Sequence, residues 1–93
     1  MLVLFEKSFL KDIQKNSNDN NNRKLLKLIE LLKTQDNFSK IKSLKKMSGY
    51  DYYYRIRIGE YRVGLKFYDN KITLIRFMHR KDIYKYFPRN EYN

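Results

Sequence analysis

Ninety-three residues, a formal net charge of +11, one histidine and no cysteine set the first limits on this chain. The length suits a single domain, 1–93, with one modest core. Without Cys there is no disulfide, thiolate nucleophile or Cys-based zinc site, and one His without clustered carboxylates gives no metal or cofactor to expect.

The charge favours a polyanionic partner: nucleic acid, a membrane surface or an acidic protein. No apolar run approaches the roughly 18 residues of a membrane-spanning helix. The opening MLVLFEKSF has neither the charged leading region nor the small-residue cleavage site of a signal peptide, so a cytoplasmic location is expected.

Met1 to Phe5 is a short apolar run that reads as a buried strand. Ser8 is placed to cap a short helix over Phe9 to Lys15, with Phe9, Leu10 and Ile13 on one face. Asn16 to Asn22 reads as a polar connector in which Asp19 or an Asn caps the next helix. That helix, Arg23 to Thr34, carries Leu25, Leu28, Ile29 and Leu32 at helical spacing, with Leu26 and Leu31 widening the stripe. The two helices are expected to form an antiparallel hairpin on the core face of a sheet. Gln35 to Gly49 is a link in which Phe38, Ile41, Leu44 and Met47 pack and Lys40, Lys42, Lys45 and Lys46 form a basic rim.

Tyr50 to Tyr84 organises the remainder as a three-strand meander. Gly59-Glu60 fits a type II′ turn, because Gly accepts positive φ, and Asp69-Asn70 fits type I′. Two-residue turns fix the register. Arg57 then faces Arg62, Arg55 faces Gly64, Arg62 faces Phe77, Gly64 faces Ile75 and Lys66 faces Thr73. Strict alternation puts Tyr50, Tyr52, Tyr54, Ile56, Ile58, Tyr61, Val63, Leu65, Phe67, Ile72, Leu74, Arg76 and Met78 on a core face. Arg76 is its one polar member. The opposite face carries Tyr53, Arg55, Arg57, Arg62, Lys66, Tyr68, Ile75, Phe77 and His79. After His79 the chain reads as a helical turn with Arg80 and Tyr84 on one side, Lys81 between them, ended by Pro88; 89–93 reads as a polar tail.

Like charges directly across a strand pair are destabilising, so the opposition of Arg57 and Arg62 asks for an explanation. A phosphate held between them supplies one. The plain alternative is a solvated face whose arginines splay into water or meet Asp51 and Glu60. No nucleotide-binding loop, paired-carboxylate or Ser-His-Asp pattern stands out. What remains is phosphate chemistry in which arginines stabilise charge. His79 is the side chain that exchanges protons near neutrality, and Tyr84 or Tyr53 stacks on a base or hydrogen-bonds the nucleophile.

With YRIRIGEYRV and HRKDIY on the page, the chain resembles the RelE branch of the RelE/ParE toxins of type II toxin–antitoxin systems. The resemblance implies an α+β fold: an N-terminal strand, a helical hairpin, an antiparallel three-strand meander and a short C-terminal helix. It also implies a ribosome-dependent, metal-independent endoribonuclease that cuts mRNA in the decoding A site by 2′-OH attack. The family's catalytic positions fall on Arg55, Arg57, Arg62, Arg80 and Tyr84, beside His79. Nucleic-acid contacts, including 16S ribosomal RNA, are expected at Tyr53, Lys66, Lys45, Lys46 and Lys81. A cognate acidic antitoxin is the implied protein partner, with no membrane and no small-molecule cofactor. The competing readings are a ParE-like toxin that poisons DNA gyrase and a non-catalytic RNA- or ribosome-binding module.

Overall fold

In chain order the elements are β1 (Leu2–Phe5), α1 (Lys7–Lys15), α2 (Asp19–Thr34), a 3-10 turn (Phe38–Lys40), β2 (Leu44–Lys46), β3 (Tyr53–Ile58), β4 (Tyr61–Tyr68), β5 (Lys71–His79) and α3 (Ile83–Tyr86). They come from a computed structural model that describes residues 1–88; the expected polar tail lies outside the described residues. The fold is α+β, as expected, but the sheet has five strands in the order β1-β5-β4-β3-β2. β1 pairs parallel with β5. β2, which the lysine-rich link hides at sequence level, pairs antiparallel with β3.

Both tight turns form as expected. Gly59 has φ +56 with Glu60 outside the left-handed region, the pattern of type II′, whereas Asp69 and Asn70 have φ 54 and 58, the pattern of type I′. They hold β3, β4 and β5 in a meander in which Arg57 pairs with Arg62 and Arg55 with Gly64.

The third strand departs from strict alternation. A bulge leaves Ile75 unpaired, so Leu65 pairs with Leu74 but Gly64 pairs with Arg76, Val63 with Phe77, Arg62 with Met78 and Tyr61 with His79. One extra residue exchanges the faces of everything after it. Phe77 is therefore fully buried in the main core, not on the basic face. Arg76 and Met78 leave the core face, and His79 joins the side that carries Tyr61.

The helices begin earlier than periodicity alone indicates. The Asn18 side chain accepts the Asn21 N–H at 2.8 Å, which caps α2 and draws Asp19 to Asn22 into its first turns. Leu25, Leu28 and Leu32 are buried against the sheet, while Leu26 and Leu31 are exposed and do not widen the stripe. α1 starts at Lys7 rather than after Ser8, and Ser8 is not its cap.

Ser8 works elsewhere, because β1 ends at Phe5 and leaves the second half of β5 without a strand on the side away from β4. α1 covers that edge with side chains four residues apart. Ser8 Oγ donates to Ile75 O at 2.6 Å, Phe77 N–H donates to Asp12 Oδ2 at 2.9 Å, and Asn16 Nδ2 donates to Phe77 O at 3.0 Å. Asp12 also takes Arg76 in a forked pair, from Nε at 2.7 Å and Nη2 at 3.0 Å.

Two apolar clusters result. The main one lies between the sheet and the α1–α2 hairpin. A smaller one on the opposite face gathers Met47, Ile83 and Phe87, with Tyr53, Ile75 and Met78 at its edge. Gly64 has no side chain because the Phe87 ring lies on it: a Cβ there would stand 2.7 Å from the ring. Tyr50 and Tyr52, expected in the core, are exposed at the entrance to β3. Among the described residues no helix is long and apolar enough to cross a membrane.

Candidate nucleic-acid interface

Rows of side chains cross the face opposite the helical hairpin, set by strand register. One row is Lys45, Arg55, Gly64 and Arg76, running from β2 to β5. Beside it lie Arg57, Arg62 and Met78, and on the other side Tyr53, Lys66 and Thr73. Neighbouring strands are about 4.8 Å apart, so the cations of one row share a short stretch of surface. α3 and Phe87 lie over the middle of this face through Gly64, Ile75 and Met78.

The three arginines differ in how they are held. Arg57 is exposed and makes no ion pair with a described residue. Arg62 is half-buried, and its Nη1 donates to the carbonyls of Gly59 at 3.0 Å and Tyr61 at 2.9 Å. Arg55 reaches Ser43 O at 3.4 Å. The Nε atoms of both Arg55 and Arg62 are buried without a hydrogen-bond partner among the described residues. An orphaned donor costs about 1–3 kcal/mol, so these two side chains rest in arrangements that leave hydrogen bonding incomplete.

Glu60, the carboxylate of the adjoining turn, is engaged by another residue. Arg80 Nε donates to its Oε1 at 2.8 Å, and Arg80 N–H donates to its backbone carbonyl at 2.8 Å. The hydrogen bond and charge of Arg80, helped by His79 and Arg62, hold the Glu60 carboxyl below the usual glutamate range. Arg80 is thereby tied to the β3–β4 turn, close to Arg62.

The other candidates separate. His79 sits on the Tyr61 side of the sheet, its ring edge-on to Tyr61 at 5.4 Å, and its Nδ1 accepts the Lys81 N–H at 3.1 Å. The bulge therefore takes it off the arginine face expected for it. Arg80 and Tyr84 do not share a helical face, since residues 80–82 form a turn and α3 begins at Ile83. Tyr84 stands exposed on α3, on the arginine side of the sheet. Tyr53 packs against Phe87 and Tyr50. Lys66 and Lys45 lie on the arginine face; Lys46 pairs with Tyr54 and so points to the helix side, and Lys81 is exposed beyond β5.

Sequence reasoning missed Arg76 as a member of this face. Its signal was present: a lone arginine among core positions, followed at once by a phenylalanine among polar ones, marks a one-residue slip. With Asp12 holding it and the Tyr86 ring 5.8 Å from its guanidinium carbon, Arg76 links α1 to α3 across the strand.

This arrangement, a helical hairpin on one face of the sheet and a short helix beside an arginine cluster on the other, has known relatives. Residues 3–84 match the family described as ParE toxin of type II toxin-antitoxin system, parDE. The chain is 39% identical over 89 residues to Toxin RelE3 of Methanocaldococcus jannaschii, covering 95% of this chain and 100% of that protein. It is 36% identical over 81 residues to Putative toxin RelE1 of the same organism, covering 86% and 89% of the two chains. Among solved structures, the RelB-RelE antitoxin-toxin complex from Methanococcus jannaschii superposes with a TM-score of 0.77 at 36% identity, covering 91% of this chain and 99% of that one. The archaeal RelE-RelB complex from Pyrococcus horikoshii shares the fold at 23% identity, with a TM-score of 0.69 over 85% and 93% of the two chains. The chain belongs to the RelE/ParE family of type II toxin–antitoxin toxins, and its fold is RelE-like.

Proposed function

We propose that this chain is the toxin of a type II pair and, when free of its antitoxin, a cytoplasmic endoribonuclease that cuts mRNA in the ribosomal A site. The observation that carries this reading is the direct opposition of Arg57 and Arg62, neither of which forms an ion pair with a described residue. Two guanidinium groups so placed suit a phosphate that gains charge in the transition state.

In the proposed reaction the 2′-oxygen attacks the adjacent phosphorus as the bond from phosphorus to the 5′-oxygen breaks. A 2′,3′-cyclic phosphate and a 5′-hydroxyl are left, and the proton lost by the nucleophile is balanced by the one gained by the leaving oxygen. Arg57 meets the phosphate directly. Arg62 joins it by exchanging the Gly59 and Tyr61 carbonyls for phosphate oxygens, which also turns its buried Nε outward. Arg80, anchored on Glu60, adds charge from the turn. Arg55, Lys45, Lys66, Tyr53 and Lys81 serve flanking nucleotides and ribosomal RNA; Lys46, on the other face, is left out.

Proton transfer falls to His79 and Tyr84. An RNA on the arginine face meets Tyr84 on α3, whereas His79 is reached around the end of β5. The +11 charge and the RelB-RelE complexes of the relatives support an acidic antitoxin as partner.

Primer extension on a defined mRNA, with and without programmed ribosomes, tests the reading. Cuts within the A-site codon only when ribosomes are present are the expected result. Intact mRNA in both tubes, from protein shown to be folded, overturns it. The match to a family named for ParE then makes gyrase supercoiling the next assay.

A further inference from the structure

At the end of the sheet away from the β3–β4 turn, Lys66, Tyr68, Asp69, Lys71 and Thr73 line a shallow recess of about 160 Å³. Tyr68 is 54% exposed, and Tyr52, 44% exposed, meets it edge-on with ring centroids 4.7 Å apart and planes at 71°. The Lys66 ammonium hangs 5.6 Å from the Tyr68 centroid. Lys71 is partly neutralised by Asp69 at 3.5 Å, which leaves Lys66 as the cation of the recess without a carboxylate partner among the described residues.

An exposed aromatic ring fixed in orientation by a second ring, beside an ammonium that no described carboxylate neutralises, is the composition of a stacking platform for single-stranded nucleic acid. Tyr68 follows Arg62 by six residues on the same face of β4, which at about 3.3 Å per residue puts it roughly 20 Å from the arginine pair. A few nucleotides of single strand bridge that span, and the strand would pass over Lys66.

We infer that this recess is a second RNA subsite, in which one nucleobase stacks on Tyr68 while Lys66 binds the phosphate beside it. The inference rests on the nucleic-acid reading of the arginine face and extends it to an anchor away from the reacting bond. The base takes the place of the ammonium over the ring, which frees Lys66 for the phosphate. Thr73 offers a hydroxyl to the base edge, and Asp69 disfavours a phosphate at the rim on its side.

The probe is a short fluorescent 2′-O-methyl oligoribonucleotide, which carries no free 2′-OH to attack, measured by anisotropy over a salt series. Tyr68→Ala is expected to weaken binding about tenfold, the loss that removal of one stacked aromatic gives, with the salt slope unchanged. Tyr68→Phe keeps wild-type affinity. Lys66→Ala weakens binding and flattens the slope by about 0.7, one phosphate contact on a single strand. Circular dichroism confirms that each variant is folded. If Tyr68→Ala binds the probe as the wild type does, the subsite is overturned, even if Tyr68 then proves to contact a protein.

The ribosome assay keeps the two readings apart. Tyr68-dependent binding without ribosome-dependent cleavage by the wild type supports the subsite and removes the enzyme reading. Cleavage by the wild type with unaltered Tyr68→Ala binding does the reverse.

Discussion

Arg57 and Arg62 repel each other across β3 and β4, and neither forms an ion pair with a described carboxylate. Arg57→Thr should therefore raise stability to urea by about 0.2–1 kcal/mol, since it removes a like-charge cross-strand pair and adds a good strand former. The same change should lower ribosome-dependent cleavage by about 10²–10³-fold, the scale of losing one charge-stabilising donor. A variant that loses stability and activity together would mark Arg57 as a structural residue.

Glu60 gives a second test at this scale. Its folded pKa lies below the ordinary value of 4.5, because Arg80 favours the charged form. A depressed pKa contributes stability above the unfolded value, and that contribution is lost as pH falls through the folded one. Melting temperatures of wild type and Glu60→Gln should differ by a constant amount above pH 4.5 and converge below it. Curves that stay parallel throughout would show that the Arg80 contact contributes nothing.

Among the elements, the turns and the first hairpin were legible because local chemistry decides them. Gly59 and the Asp69-Asn70 pair accept the backbone angles that two-residue loops need, and the register of Arg57 on Arg62 follows. The last strand was half legible. Nothing in ITLIRFMH is a glycine or a turn residue, yet the ladder shifts at Gly64, where α3 closes over the sheet. The cause is tertiary: Phe87 occupies the space above Gly64, and α1, not a strand, receives the backbone of Ile75 and Phe77. That shift moved His79 off the arginine face and Arg76 onto it, so strict alternation placed Arg55, Arg57 and Arg62 together and misplaced the two residues beyond the bulge. β2 escaped because three residues rich in lysine show no period.

Gly64→Ala tests this account. A Cβ at 2.7 Å from the Phe87 ring forces the ring or α3 to move. The expected loss is about 1–3 kcal/mol, as for overpacking elsewhere. Hydrogen exchange should rise in Ile83–Tyr86 while α1 and α2 keep their protection. Unchanged exchange in α3 would mean that the ring adjusts in place.

For the whole molecule, the +11 charge acts in opposite directions on fold and complex. Salt screens self-repulsion, so melting temperature should rise as salt is added. Salt also competes for phosphates, so affinity for ribosomes and for single-stranded RNA should fall over the same range. A protein whose fold and RNA affinity both weaken with salt would contradict the view that its charge serves the partner rather than the core.

The polar ladder of Ser8, Asp12 and Asn16 bears on behaviour at high concentration. A bare strand edge is a template for another chain's strand, and the second half of β5 would be one of the longer open edges of this sheet. α1 fills its donors and acceptors with side chains, so that among the described residues the open edges are four-residue β1 and three-residue, lysine-bearing β2. The helix that packs on the core thus also guards the chain against edge-to-edge aggregation, including in the interval after synthesis when a toxin of this family has yet to meet a partner.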